Sequence, residues 1–153
     1  MLGRTERFPG VVLRLFLTYG PGQDESRFLP QIILGCIDDK EFPVSAGTQL
    51  RDFCHVADTV QAILSALQAP NIDGEIINIG SGDSVSIRSV IERVLFIIGS
   101  GKPLFGEVAY RSSENMALFA DITKARCLLE WQPSINLHAG LEDTIAWYQQ
   151  HNK

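Results

Sequence analysis

The sequence predicts an α/β fold, and three observations carry that prediction. Residues 11–17 form an almost unbroken apolar run, as a strand buried on both faces requires. Residues 75–79, Glu75-Ile76-Ile77-Asn78-Ile79, form a second such run, closed by Gly80-Ser81-Gly82. Between and after these runs lie segments whose apolar residues recur at helical spacing. Strands that alternate with helices place the chain in the α/β class.

In chain order, Tyr19-Gly20-Pro21-Gly22 breaks the first run with a turn. Residues 27–38 read as a helix with Leu29, Ile32, Ile33 and Cys36 on one stripe. Residues 42–45 and 50–56 read as short strands around the turn Ala46-Gly47-Thr48. Within the second, alternation puts Arg51, Phe53 and His55 on one face, and Asp52, Cys54 and Val56 on the other. Asp58 has Gln61 three residues later, the spacing of a capping box, which predicts a helix from there to about residue 68, before Pro70. Ser86 caps a helix running to residue 98, which Gly99 closes. Residues 101–115 read as irregular. Asp121 caps a short helix to residue 130, with Pro133 beyond it. Asn136 caps the last helix, in which Gly140 costs about 1 kcal/mol relative to alanine and so implies a close neighbour.

The bulk composition narrows the function. A chain of 153 residues suits a single domain, taken here as 1–153, that buries roughly 68–70% of its unfolded surface. A net charge of −5 argues against a nucleic-acid-binding face while leaving room for a local anion pocket. Cys36, Cys54 and Cys127 lie far apart and odd in number, which suits reduced thiols and a cytoplasmic location. His55, His138 and His151 are scattered, without metal-ligand spacing. Residues 1–7 lack an apolar leader, and the most apolar stretch, 90–98, is too short to span a bilayer and contains Glu92 and Arg93. An arginine beside a strand-to-helix junction, as at Arg51, suits a phosphate, because the guanidinium fork matches its oxygens. From these residues alone, a surface Arg–Asp pair on an edge strand is the favoured alternative. Two long strands with a few short ones make a poor independent sheet, so the chain is expected to be part of a larger architecture.

Several motifs together resemble one family. They are Arg14-Leu15-Phe16-Leu17-Thr18-Tyr19-Gly20-Pro21-Gly22, Phe28-Leu29-Pro30-Gln31, and Gly47-Thr48-Gln49-Leu50-Arg51-Asp52-Phe53 with Val56 and Asp58. Asn78-Ile79-Gly80-Ser81-Gly82, Tyr110-Arg111-Ser112-Ser113-Glu114, residues 120–125, Trp131-Gln132-Pro133, and residues 140–148 follow in order. In this order they resemble the C-terminal half of the extended short-chain dehydrogenase/reductases, the NAD-dependent nucleotide-sugar epimerases and dehydratases. The resemblance implies the last strands of a Rossmann-type parallel sheet plus a small α/β substrate-binding domain, incomplete relative to the family. It implies NAD as cofactor of the complete enzyme, an isomerase or a lyase. The Gly-rich dinucleotide turn and the Tyr-x-x-x-Lys pair of the family do not occur here, so the chain alone is expected neither to bind NAD nor to turn over.

Carried across residue by residue, Arg51 and Arg111 match arginines that hold the substrate diphosphate. Glu114 matches an acid near the ribose, or else caps or pairs locally. Phe42 matches an apolar residue against the base, with core packing the favoured role. Tyr19 matches a loop near the nicotinamide, which a simple turn explains equally. Leu17 departs from the family pattern, which has asparagine there. Asp52, Asp58 and Asp121 read as structural acids. The Gly80–Gly82 turn reads as a strand-to-helix turn or a phosphate cradle. The implied partner is a nucleoside-diphosphate sugar, with a companion chain or self-association through the sheet flank at 11–16 as a second possibility.

Overall fold

The computed structural model describes residues 9–151; residues 1–7, read above as lacking a leader, lie outside them. The expected run at 11–17 forms two strands, β1 (Val12–Leu15) and β2 (Leu17–Tyr19). The break at Phe16 is a change of partner. β1 pairs in parallel with β6 (Ile76–Ile79), Val12 opposite Ile76, whereas β2 pairs in parallel with β5 (Phe53–His55), Leu17 opposite Phe53. Burial of β1 on both faces does not hold: Val12 and Leu15 are 56% and 49% exposed, while Ile77 and Ile79 of its neighbour are buried.

Helix α1 (Phe28–Ile37) buries the expected stripe of Leu29, Ile32, Ile33 and Cys36. Pro30 is tolerated because it sits in the first turn, where a backbone N–H lacks a helical acceptor anyway. The chain then enters β3 (Glu41–Val44), which pairs in parallel with β8 (Lys102–Phe105). β8 corrects the expectation of an irregular stretch. Its pattern was hidden by Pro103, which this two-stranded ladder accommodates opposite Phe42.

The expected strand at 50–56 also divides. β4 (Leu50–Arg51) lies between β7 (Val85–Ser86, antiparallel) and β9 (Ala117–Leu118, parallel). Asp52 interrupts the alternation, and β5 resumes beside β2. Helix α2 (Val56–Gln68) begins earlier than the capping-box spacing predicted: His55 is its N-cap and its Nδ1 accepts from Ala57 N at 3.4 Å. The Asp58 carboxylate instead accepts from Ser134 N (3.0 Å), Ser134 Oγ (2.8 Å) and Ile135 N (3.0 Å). Tertiary partners thus outcompete a local cap, and Asp58 fastens the loop before the last helix onto α2.

Two side-chain caps hold as expected, at Ser86 and Asn136. Ser86 Oγ accepts from Ser89 N at 3.1 Å to open α3 (Ile87–Ile98), which ends at Gly99 with φ 82°. The cap expected of Asp121 does not form: Ile122 is the N-cap of α4 (Thr123–Leu129), without a side-chain cap hydrogen bond, and Asp121 Oδ1, one residue before it, accepts from Thr123 N at 2.9 Å. Asn136 Oδ1 accepts from Ala139 N at 3.0 Å to open α5 (Leu137–His151). The neighbour implied by Gly140 is Tyr19: a Cβ at Gly140 would lie 2.1 Å from the Tyr19 hydroxyl.

Two cores result. One joins α1, α3 and α5 through Leu29, Ile33, Val90, Ile91, Leu141 and Ile145. The other joins β6, α2 and α4 through Ala62, Ile77, Ile79, Ala125 and Trp131. Fully burying one such aliphatic side chain contributes about 1.5–3 kcal/mol, so these residues hold the helices to the short strands. No described helix is long and apolar enough to cross a membrane.

Candidate active-site cleft

β4 is short, but it is held on both sides and so aims Arg51 reproducibly. Leu50 N donates to Met116 O at 2.8 Å, and Arg51 stands opposite Val85 of β7 and Leu118 of β9. The chain from β8 returns over this point. Its turn closes with Glu114 N donating to Arg111 O at 3.0 Å. Before that turn, Tyr110 is fastened to the 46–48 turn: its hydroxyl accepts from Thr48 N at 2.9 Å and shares a hydrogen bond with Thr48 Oγ1 at 2.9 Å. The Thr48 hydroxyl, foremost among these contacts, holds the Tyr110 phenol below its ordinary pKa. Gly47 has φ 73°, and a Cβ there would lie 2.8 Å from Arg88 N, so this anchoring turn requires glycine.

The outcome is a cleft of about 530 Å³ whose wall includes Leu17, Gln49, Arg51, Tyr110, Arg111 and Glu114. That volume falls within the usual span of small-molecule sites, about 300–1,000 Å³. Arg51 and Arg111, which come from segments far apart in sequence, face the same space with Glu114. The Arg51 side chain is 14% exposed and that of Glu114 23%. Arg51 Nη2 donates to Glu114 Oε1, and its Nη1 donates to Leu50 O at 2.7 Å. Arg111 is exposed and has no ion pair among the described residues. A second depression of about 450 Å³, lined in part by Asp83, Arg93, Asn136 and His138, offers one arginine only.

Two expected site residues lie elsewhere. Phe42 does not line the cleft; it packs beneath α1, where a Cβ on Gly35 would come within 2.7 Å of its ring. Tyr19 is 1% exposed, inside the first core, and its ring packs edge-on to Phe53 and His55. Burial pushes its phenol pKa up. Neither is placed to touch a ligand in the cleft. Leu17, the departure from the family pattern, does line it and makes its wall apolar. Gln49 and Tyr110 were missed as site residues; their signal was adjacency to Arg51 and Arg111.

The Gly80–Gly82 turn is filled from within. Asp52, 1% exposed, accepts from Ser81 N (2.6 Å), Ser81 Oγ (2.7 Å), Gly82 N (3.0 Å) and Ala120 N (3.1 Å). A phosphate at this turn would have to displace that carboxylate, so the turn does not fit the diphosphate of NAD. No group of three or more His, Cys, Asp or Glu that could hold a metal occurs among the described residues.

Comparison with known proteins places this architecture. The family model described as NAD dependent epimerase/dehydratase family matches residues 2–80. A Bacillus subtilis protein described as an uncharacterized UDP-glucose epimerase is 33% identical over 141 residues, 91% of this chain and 44% of that protein. UDP-glucuronate 4-epimerase of Thermodesulfobacterium geofontis is 30% identical, over 92% of this chain and 43% of its own length. Among solved structures, Bacillus cereus UDP-glucuronic acid 4-epimerase in complex with UDP-glucuronic acid and NAD superposes with a TM-score of 0.88 at 33% identity. It is matched over 97% of this chain and 48% of its own. UDP-glucose 4-epimerase of Thermotoga maritima, with UDP-glucose, gives 0.89 at 26% identity, over 99% and 49% of the two chains. The chain spans somewhat less than half the length of these relatives. It belongs to the NAD-dependent epimerase/dehydratase family.

Proposed function

We propose that this chain is the nucleotide-sugar-binding portion of an NAD-dependent epimerase or dehydratase, corresponding to the C-terminal half of its relatives. The single observation that carries the reading is the convergence of Arg51 and Arg111 on one cleft. A diphosphate presents several anionic oxygens, and each charge-assisted hydrogen bond to it contributes about 1.5–3 kcal/mol net. The apolar Leu17 and Ile32 in the same wall suit the less polar faces of a sugar or base. The N-terminal, dinucleotide-binding half is disfavoured as the equivalent by two features of this chain. Its sequence has no Gly-x-Gly-x-x-Gly turn, and its Gly80–Gly82 turn already holds the Asp52 carboxylate. No redox step is therefore assigned to these residues; their role is substrate grip.

Arg51→Ala and Arg111→Ala test this reading. Each is expected to weaken binding of the preferred nucleoside diphosphate by roughly 10–150-fold, the equivalent of one such bond. Arg111→Ala should leave the melting temperature unchanged, because the side chain is exposed. Unchanged affinity in both variants would remove the cleft as the site.

A second reading, a non-catalytic module that associates through its sheet flank, is favoured by β1. That strand pairs with β6 on one side only among the described residues, and Val12, Leu15 and Ile76 stand exposed. Sedimentation as a clean monomer at high concentration would count against it.

A further inference from the structure

The cleft contains its own anion. Arg51 is not poised for a ligand: its side chain, largely withdrawn from solvent, is already paired with Glu114, which the 111–114 turn carries into the same cleft. A second fastening, Tyr110 to Thr48, holds the returning segment in place, so Glu114 is presented to Arg51 by a built turn. Arg111, on the same turn, stays exposed and without an ion pair among the described residues. One arginine is therefore engaged while the other is available.

We infer that Glu114 is an exchangeable counter-ion for Arg51, which a diphosphate must displace before it engages both arginines. The inference rests on the proposed diphosphate cleft and specifies what a ligand displaces there. A single phosphate can meet Arg111 without breaking the Arg51–Glu114 pair. To gain Arg51 as well it must replace a carboxylate of comparable strength, an exchange of one ion pair for another with little net gain. A diphosphate engages Arg111 with one phosphoryl group and brings the second to Arg51 as an intramolecular competitor. Its high effective concentration displaces Glu114 where a free monophosphate does not. On this account Glu114 opposes binding of a diphosphate, which must displace it, and opposes least a single phosphate that Arg111 alone can hold. A ribose contact by Glu114 would have the opposite effect, favouring binding.

Inorganic pyrophosphate and orthophosphate separate these roles, since neither carries a ribose. The 153-residue chain, its Glu114→Gln variant and a second variant, Glu114→Ser, are titrated calorimetrically with both anions. UDP and dTDP are titrated in parallel, and circular dichroism confirms folding. Glutamine keeps the shape and a hydrogen-bond acceptor while removing the charge. The inference predicts that both variants bind pyrophosphate at least about tenfold tighter than the wild type. It also predicts that orthophosphate gains by a smaller factor, so that the preference for pyrophosphate grows. If the wild type binds UDP or dTDP but the variants bind pyrophosphate equally or more weakly, the counter-ion role is overturned and the diphosphate cleft stands. If none of the three folded proteins binds either nucleotide, the cleft reading falls and the counter-ion role with it.

Discussion

Asp52 is the residue on which the three strands around the cleft depend, and Asp52→Asn measures that dependence. The carboxylate receives four hydrogen bonds, from Ser81 N, Ser81 Oγ, Gly82 N and Ala120 N, at a position 1% exposed. It joins the β4–β5 junction to the turn after β6 and to the chain entering α4. Asparagine is nearly isosteric and can keep one oxygen toward Ser81. Its amide then points two donors at the N–H groups of Gly82 and Ala120, leaving both without an acceptor. Leaving a buried donor unsatisfied costs about 1–3 kcal/mol, which makes roughly 3 kcal/mol a middle value for the pair with partial relaxation. In a domain of this size that loss lowers the melting temperature by about 6–12 °C. Thermal denaturation followed by circular dichroism is the assay, with exposed Asp73→Asn as the control, expected within about 0.5 kcal/mol of wild type. A melting temperature for Asp52→Asn within about 2 °C of wild type would refute the reasoning, because the carboxylate would then not be the required acceptor.

Gly140→Ala should destabilise by about 1–3 kcal/mol despite the better helix propensity of alanine, since its Cβ would press on the Tyr19 hydroxyl. Tyr19→Phe in the same background should recover part of that loss in chemical denaturation. Tyr19→Phe alone should leave stability unchanged or raised, because the buried hydroxyl has no hydrogen-bond partner, and a clear drop in the denaturation midpoint would contradict this. Burial pushes the Cys36 and Cys54 thiols up to about 11, whereas Cys127 is exposed, so one thiol should react with a disulfide reagent in the native protein and all three after unfolding. Hydrogen bonds from Thr123 to Asp121, and from Ser26 to Asp24, hold these two carboxyls below their ordinary pKa. Their contribution is present above the unfolded value of about 3.9 and lost as pH falls through the lower folded value, so Asp121→Asn should flatten the acid limb of a stability-versus-pH curve.

Much of this was legible in the sequence because the signals were local. Ser86, Asn136 and Gly99 mark helix ends through contacts within a few residues, and the stripe on α1 needs only helical spacing. The errors arose where a distant partner decided. Residues 11–17 look uniform, yet the strand breaks at Phe16 because β6 and β5 claim different halves. Asp58 has the spacing of a cap, but the loop at 134–135 supplies three donors to its carboxylate. β8 is disguised by proline and becomes visible only beside β3. For the cleft, Arg51, Arg111 and Glu114 were found through ordered motifs, since no local pattern could bring them together across sixty residues of chain. Phe42 and Tyr19 were placed by the same motifs, but the side chains pack inward. That Asp52 would fill the Gly80–Gly82 turn was not readable, because a glycine turn looks the same whether its anion is a ligand or the chain itself.

The central claim is that this chain grips a nucleoside diphosphate and not a dinucleotide. Calorimetric titration of the purified chain with UDP, dTDP, GDP and CDP, with NAD alongside, tests it most directly. The account predicts saturable binding of one nucleoside diphosphate, abolished or strongly weakened by Arg51→Ala or Arg111→Ala, and no heat with NAD. Saturable binding of NAD, or no binding of any nucleoside diphosphate by the folded chain, would contradict it.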